Sequence, residues 1–185
     1  MKLKTRDIIL AALFTAMTVV GAKINLLLPE IPFTFQPIMV MLSGSLIGSK
    51  AALLSQVTYL IMGLIGIPVF AKPIAGPAYI VQPSFGYILG FIAASYVIGK
   101  IIEKSREKNI PVFILSNMAG LAVIYSIGVL YIFALMNLFL GKSISLIKAI
   151  MIGFVPFILK DIALGIVVAL LSYTIYNRMK SQIKS

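Results

Sequence analysis

The chain contains no cysteine and no histidine. Without cysteine there is no disulfide framework, no thiolate nucleophile and no thiolate metal site. Without histidine, the commonest general base and the commonest transition-metal ligand are missing. Acidic residues are scarce: Asp7, Glu30, Glu103, Glu107 and Asp161 make up the whole set. Hydrolytic and metal chemistry therefore have few candidates, so no catalytic residue, metal ligand or cofactor is expected and the sequence points away from an enzyme. A phosphate-binding loop of the GxxxxGK(S/T) kind is also absent, which excludes ATP hydrolysis by that route. Nor does the chain repeat its hydropathy in two halves, as many secondary transporters do.

What the chain has in abundance is apolar surface. Of its 185 residues, 61% are hydrophobic and 11% charged, against roughly 45–50% and about 25% in water-soluble domains. No soluble fold covers that much apolar area, so the solvent is lipid, and the length allows one domain, 1–185, built from several spans. The formal charge of +11 does not argue for nucleic acid. The basic residues sit at the ends of apolar runs, where they anchor and orient a membrane protein. The first apolar run is long and lacks a cleavage site, so it reads as a span and not as a signal peptide.

The hydropathy pattern predicts an all-α, polytopic bundle of six transmembrane helices at 7–28, 37–48, 51–67, 83–102, 111–140 and 156–177. The segment 29–37 holds three prolines and reads as a loop. A tight turn is expected at Ser49–Lys50, and 144–155 reads as a short outer helix or as the lead-in to the last span. Basic residues cluster at both termini (Lys2, Lys4, Arg6; Arg178, Lys180, Lys184), at Lys50, and in the loop containing Lys100, Lys104, Arg106 and Lys108. Six spans place all of these on one side, which the positive-inside rule makes cytoplasmic. Both termini are then expected in the cytoplasm of a multi-pass protein of the cell membrane.

On the opposite side the sequence places four prolines (Pro68, Pro73, Pro77, Pro83) and several aromatics within residues 66–91. Too apolar for a plain solvated loop, this stretch reads as a stiff lid over an outward-facing site. Polar side chains gather at the same side: Lys23, Asn25, Gln36, Lys72, Gln82, Lys160 and Asp161. Aromatics accompany them, among them Phe33, Phe35, Phe70, Tyr79, Phe85 and Tyr87. An apolar cavity with a few aimed polar groups is the make-up of a small-molecule site. Lys160 and Asp161 stand out, because a charge within a membrane helix requires a partner, a watery cavity or a ligand. Helix neighbours point about 100° apart, so the two are not expected to face one partner squarely. On the first helix, Ala12 and Ala16 are four residues apart, a spacing that lets helices approach closely.

Four blocks carry a resemblance: IPFTFQ (31–36), YLIMGLIGIPVFA (59–71), QPSFGYILGF (82–91) and PFILKD (156–161). Over nearly its whole length the chain resembles the BioY family, the substrate-binding S components of energy-coupling factor (ECF) vitamin transporters. The resemblance implies a six-helix bundle that binds biotin near its outer face. It implies as partners a membrane coupling subunit, EcfT, and two ATPase subunits, with Ala12 and Ala16 docking on EcfT and the S component toppling in the bilayer during transport. It implies ligand contacts for Asp161, which matches the family's aspartate. In the usual pattern glycine precedes that aspartate and lysine follows three residues later. Here Lys160 replaces the glycine and Leu164 the lysine. A step of four residues keeps a helix face, so Lys160 is a candidate for the displaced lysine, as is Lys23.

For biotin, the expected roles are Asp161 accepting ureido N–H groups, Gln36 and Gln82 adding donors and acceptors, and Phe33, Phe70, Tyr79 and Tyr87 packing ring and chain. Lys160, Lys23 or Lys72 meets the carboxylate. Two alternatives stay open on the residues alone: another vitamin or small carboxylate such as lipoate, and a structural or regulatory membrane protein without a small-molecule ligand.

Overall fold

The computed structural model describes residues 4–26 and 31–184. Among the described residues, seven α-helices pack into a bundle: α1 (Thr5–Lys23), α2 (Gln36–Ile47), α3 (Ser49–Leu64), α4 (Phe85–Lys104), α5 (Ile110–Ala134), α6 (Leu146–Gly153) and α7 (Val155–Lys184). A π-helical turn, Leu135–Phe139, extends α5, and a 3₁₀ helix, Pro77–Val81, lies in the connection between α3 and α4. Four helical segments are long and apolar enough to cross a membrane: Thr5–Lys23, Phe85–Lys104, Ile110–Phe139 and Val155–Arg178. Of the remaining three, α6 has 8 residues, and α2 and α3 are 12 and 16 residues long. They rise only about 18 and 24 Å at 1.5 Å per residue.

Each of the six apolar runs seen in the sequence forms one helix, but boundaries differ, and the last helix runs on to Lys184 instead of ending at 177. The first helix stops at Lys23, not at 28, and the chain then forms a short strand. That strand, β1 (Asn25–Leu26), pairs antiparallel with β2 (Phe33–Thr34), with Asn25 opposite Thr34 and Leu26 opposite Phe33. The all-α expectation thus gains a two-residue ladder, which supplies backbone partners where the helix ends. The tight turn falls one residue early, at Gly48, whose φ of 82° suits glycine. Ser49 and Lys50 are already helical. The third helix ends at Leu64, ahead of Pro68, and the chain turns through Gly66 at φ 103°. The predicted outer helix is present as α6, and Pro156 sits in the first turn of α7, where its missing N–H costs nothing.

The Ser49–Glu103 contact brings the Gly48 turn to the end of α4, and the 5.9 Å ring contact of Phe113 with Tyr176 brings the later part of α7 to the start of α5, so these segments share one end of the bundle. There the Glu103 carboxylate caps α3, accepting from the Ser49 amide at 2.7 Å and from the Ser49 hydroxyl. An acidic group at a helix N-terminus satisfies orphan N–H groups and complements the dipole. Between the helices the interior is polar in places. Ser45 donates to Asn117 Oδ1 at 3.1 Å, and Asn117 donates to the Gly165 carbonyl at 3.1 Å, tying α2, α5 and α7 together. Thr15 donates to the Ser55 carbonyl and Gln56 to Thr18, joining α1 to α3. In lipid these bonds replace the hydrophobic force that holds soluble helices together.

Helix α4 is central, packing on α2, α3 and α5. Its approach to α3 depends on Gly99, where a Cβ would lie 2.5 Å from the Ser49 amide nitrogen and 2.6 Å from its Cα. Backbone has nowhere to yield, so Gly99→Ala is expected to push α3 off α4 and cost about 1–3 kcal/mol. A lower midpoint of thermal unfolding in detergent checks this.

Candidate ligand-binding site

At the end of the bundle opposite the Gly48 turn, a cavity opens between α2, α4, α5 and α7. Ile31, Pro32, Thr34, Gln36 and Pro37 line it from the hairpin and the start of α2. Tyr79 and Ser84 come from the loop before α4, and Tyr87, Ile88 and Phe91 from α4. Ile124 and Tyr125 come from α5, and Phe157, Lys160 and Asp161 from α7. Most of the wall is apolar, and its polar groups converge near Asp161.

Asp161 is 3% exposed. Its Oδ2 accepts a short hydrogen bond from the Tyr125 hydroxyl. Its Oδ1 lies 2.9 Å from Lys160 Nζ, an ion pair. Beyond this ion pair, Oδ1 accepts no hydrogen bond from the described residues. A buried carboxylate oxygen thus keeps acceptor capacity inside a cavity. Lys160 also donates to the Thr34 carbonyl at 2.9 Å and sits 3.8 Å from the centroid of the Phe33 ring. One side chain therefore joins α7 to the hairpin through a hydrogen bond and a cation–π contact while pairing with Asp161 on its own helix. Although ideal helix geometry sets neighbours 100° apart, the flexible lysine stem bends back to reach Asp161.

The remaining polar groups are held from behind. Gln36 donates from Nε2 to the Tyr59 hydroxyl at 2.9 Å, and Tyr59 donates to the Val69 carbonyl. The Tyr87 hydroxyl donates to the Gly153 carbonyl at 2.7 Å, at the end of α6. Tyr79 and Ser84 share a hydroxyl–hydroxyl bond of 3.0 Å. Burial pushes the Tyr79 phenol above its ordinary pKa, so it enters the cavity as a neutral hydroxyl.

Of the residues proposed from the sequence, Asp161, Lys160, Gln36, Tyr79 and Tyr87 line this cavity. Phe33 lies behind Lys160 and 6.0 Å from the Phe157 ring. Phe70 stands one layer out, its ring 4.1 Å from that of Tyr79 and 5.6 Å from that of Tyr59. Lys23 donates to the Phe70 carbonyl at 2.9 Å. Gln82 is half-buried, following the 3₁₀ helix that carries Tyr79. Much of the proline-rich stretch is exposed, but Val69, Phe70 and Tyr79 are buried beneath it. Ala12 and Ala16 face away from the bundle, while Ala11 and Thr15 face into it. Tyr125, Ser84 and Thr34 were not singled out in the sequence. The signal for Tyr125 was present: a phenol inside the most apolar span must find an acceptor.

A family profile described as the BioY family matches residues 1–181. Among curated proteins, the chain is 38% identical over 177 residues to a probable biotin transporter BioY from Lysinibacillus sphaericus, covering 96% of this chain and 90% of that protein. It is 38% identical over 167 residues to a biotin transporter BioY from Thermotoga maritima, covering 90% and 94%. Among solved structures, it superposes on the S-component for biotin from an ECF-type ABC transporter with a TM-score of 0.80, at 21% identity and 95% coverage of both chains. At that identity the superposition speaks for the fold: a helical membrane bundle.

Proposed function

The chain belongs to the BioY family, and from that premise we propose that it is the substrate-specific subunit of an ECF transporter, capturing biotin outside the cell for import. It is a transporter component and not an enzyme. The observation that carries the ligand assignment is the Asp161–Lys160 pair. Nζ and Oδ1 stand 2.9 Å apart, a donor beside an acceptor with spare capacity. A ureido group presents the complement, a carbonyl oxygen flanked by N–H donors. Lys160 then takes the ureido oxygen and Asp161 an N–H, both at the same end of the ligand. Tyr79, Tyr87, Phe91 and Ile124 pack the thioether ring and chain. Biotin's carboxylate lies at its far end, out of reach of a lysine tied to Asp161, so it falls to Lys23 or Lys72. Gln36 and Gln82 add polar contacts, while Phe33 and Phe70 back the residues that line the cavity.

Six helices crossing the membrane, with both termini in the cytoplasm, fit the placement of basic residues. Lys4, Arg6, Lys50, Lys100, Lys104, Arg106, Lys108 and Arg178 lie at one end of the bundle, the cavity at the other. Helices α2 and α3 cross where the bilayer thins locally. Import requires energy from outside this chain. EcfT and two ATPase subunits supply it, and the exposed Ala12–Ala16 face of α1 is the docking surface for EcfT. The transporter resides in the cell membrane.

The test is a thermal-shift series on the detergent-purified chain. Biotin is expected to raise the unfolding midpoint, because a ligand that prefers the folded state stabilises it. Lipoate, which has the carboxylate and sulfur but no ureido group, leaves the pair unmatched at about 1–3 kcal/mol per buried group and is expected to give no shift. A shift with lipoate and none with biotin would leave the fold standing and overturn the substrate.

A further inference from the structure

A second concavity lies on the lateral face of the bundle, where α5 meets α6. Ala122 and Ser126 form its floor, and Val129, Leu130, Ile150 and Phe154 form its walls, with Tyr125 at its back. No charged side chain lines it. It sits midway along Ile110–Phe139, a 30-residue apolar helix, which puts it at the depth of the hydrocarbon. Leu130, Ile150, Met151 and Val155 around it are 59%, 37%, 60% and 52% exposed, as side chains solvated by lipid are. Tyr125 is the one residue lining both this groove and the ligand cavity. Its ring meets Phe154 edge-on at 5.1 Å, and its hydroxyl holds Asp161.

We propose that this groove is a defined site for one acyl chain of a bilayer lipid, seated against the outer face of Tyr125. Alkyl chains are the medium at this depth, and an uncharged trough of small residues between aliphatic and aromatic walls suits a straight methylene chain. An occupied groove backs the Tyr125 ring on its lipid side and so steadies the hydroxyl that positions Asp161. The site does not depend on which ligand fills the cavity.

Because the chain contains no tryptophan, a single introduced tryptophan reports on its own surroundings. Leu130→Trp places it on the groove rim. Leu115→Trp places it about four turns away on the same helix, where Leu115 is 65% exposed. Both positions are exposed, so both variants are expected to fold. Each is titrated in detergent with a dibrominated phosphatidylcholine, whose bromines quench fluorescence on contact. A bound chain predicts saturable quenching of Leu130→Trp at low lipid fraction, with Leu115→Trp quenched only in proportion to lipid. Adding Ser126→Phe, which fills the floor, removes the saturable phase. Parallel quenching of the two reporters, or a saturable phase that survives Ser126→Phe, would overturn the site.

Discussion

Replacing Asp161 with alanine is expected to weaken biotin binding at least about 100-fold, read as Kd by titration of the purified chain. The carboxylate holds three groups: the Tyr125 hydroxyl, the Lys160 ammonium and, on the proposed function, a ureido N–H. Its removal takes away a charge-assisted bond to the ligand, worth about 1.5–3 kcal/mol, and leaves a buried hydroxyl without an acceptor. At 1.4 kcal/mol per decade the sum, about 2.5–6 kcal/mol, corresponds to about two to four decades. Asp161→Asn is the sharper variant, because it keeps shape and packing. It turns an anionic acceptor into a neutral amide, so it is expected to fold and still bind weakly. Unchanged affinity in Asp161→Asn would remove this residue from the site.

The second expectation concerns the displaced lysine. Lys160→Gly installs the residue usual in the family and is expected to lower affinity about 10- to 100-fold, since one charged hydrogen bond to the ligand is lost. It also frees the hairpin at Thr34 and leaves Asp161 with Tyr125 as its one remaining polar partner among the described residues. Adding Leu164→Lys returns a cation one helical turn along the same face. The double variant is expected to recover most of the affinity, because the family's own arrangement is then restored. Failure of the double variant to improve on Lys160→Gly would mean that Lys160 acts through the hairpin and not as a relocated ligand-facing lysine.

The membrane character, the six apolar runs and the grouping of basic residues were legible in the sequence, because hydropathy and charge report directly on the solvent. Helix ends were less legible. An apolar run resumes after Lys23 and Asn25, yet the chain leaves the helix there because Asn25 and Leu26 find backbone partners in Thr34 and Phe33. The partners lie only seven to nine residues on, but a two-residue ladder is too short to leave a period-2 pattern in the hydropathy. Five of the proposed contact residues lie around one cavity because aromatic and amide groups in an apolar chain are costly unless gathered. Tyr125 escaped notice for the opposite reason: one tyrosine within an apolar run reads as packing, and its acceptor is 36 residues away. The reach of Lys160 to the Thr34 carbonyl and the Phe33 ring left no local signal, because Thr34 is 126 residues away in sequence.

The most direct measurement is the structure of the purified chain with biotin bound. The account predicts the ureido ring between Asp161 and Lys160, with an N–H on the Asp161 carboxylate, the ureido oxygen on Lys160 Nζ, and the carboxylate pointing toward Lys23 or Lys72. Biotin lying in the opposite sense, with its carboxylate on Lys160, or seated outside the cavity walled by Tyr79, Tyr87 and Tyr125, would contradict it.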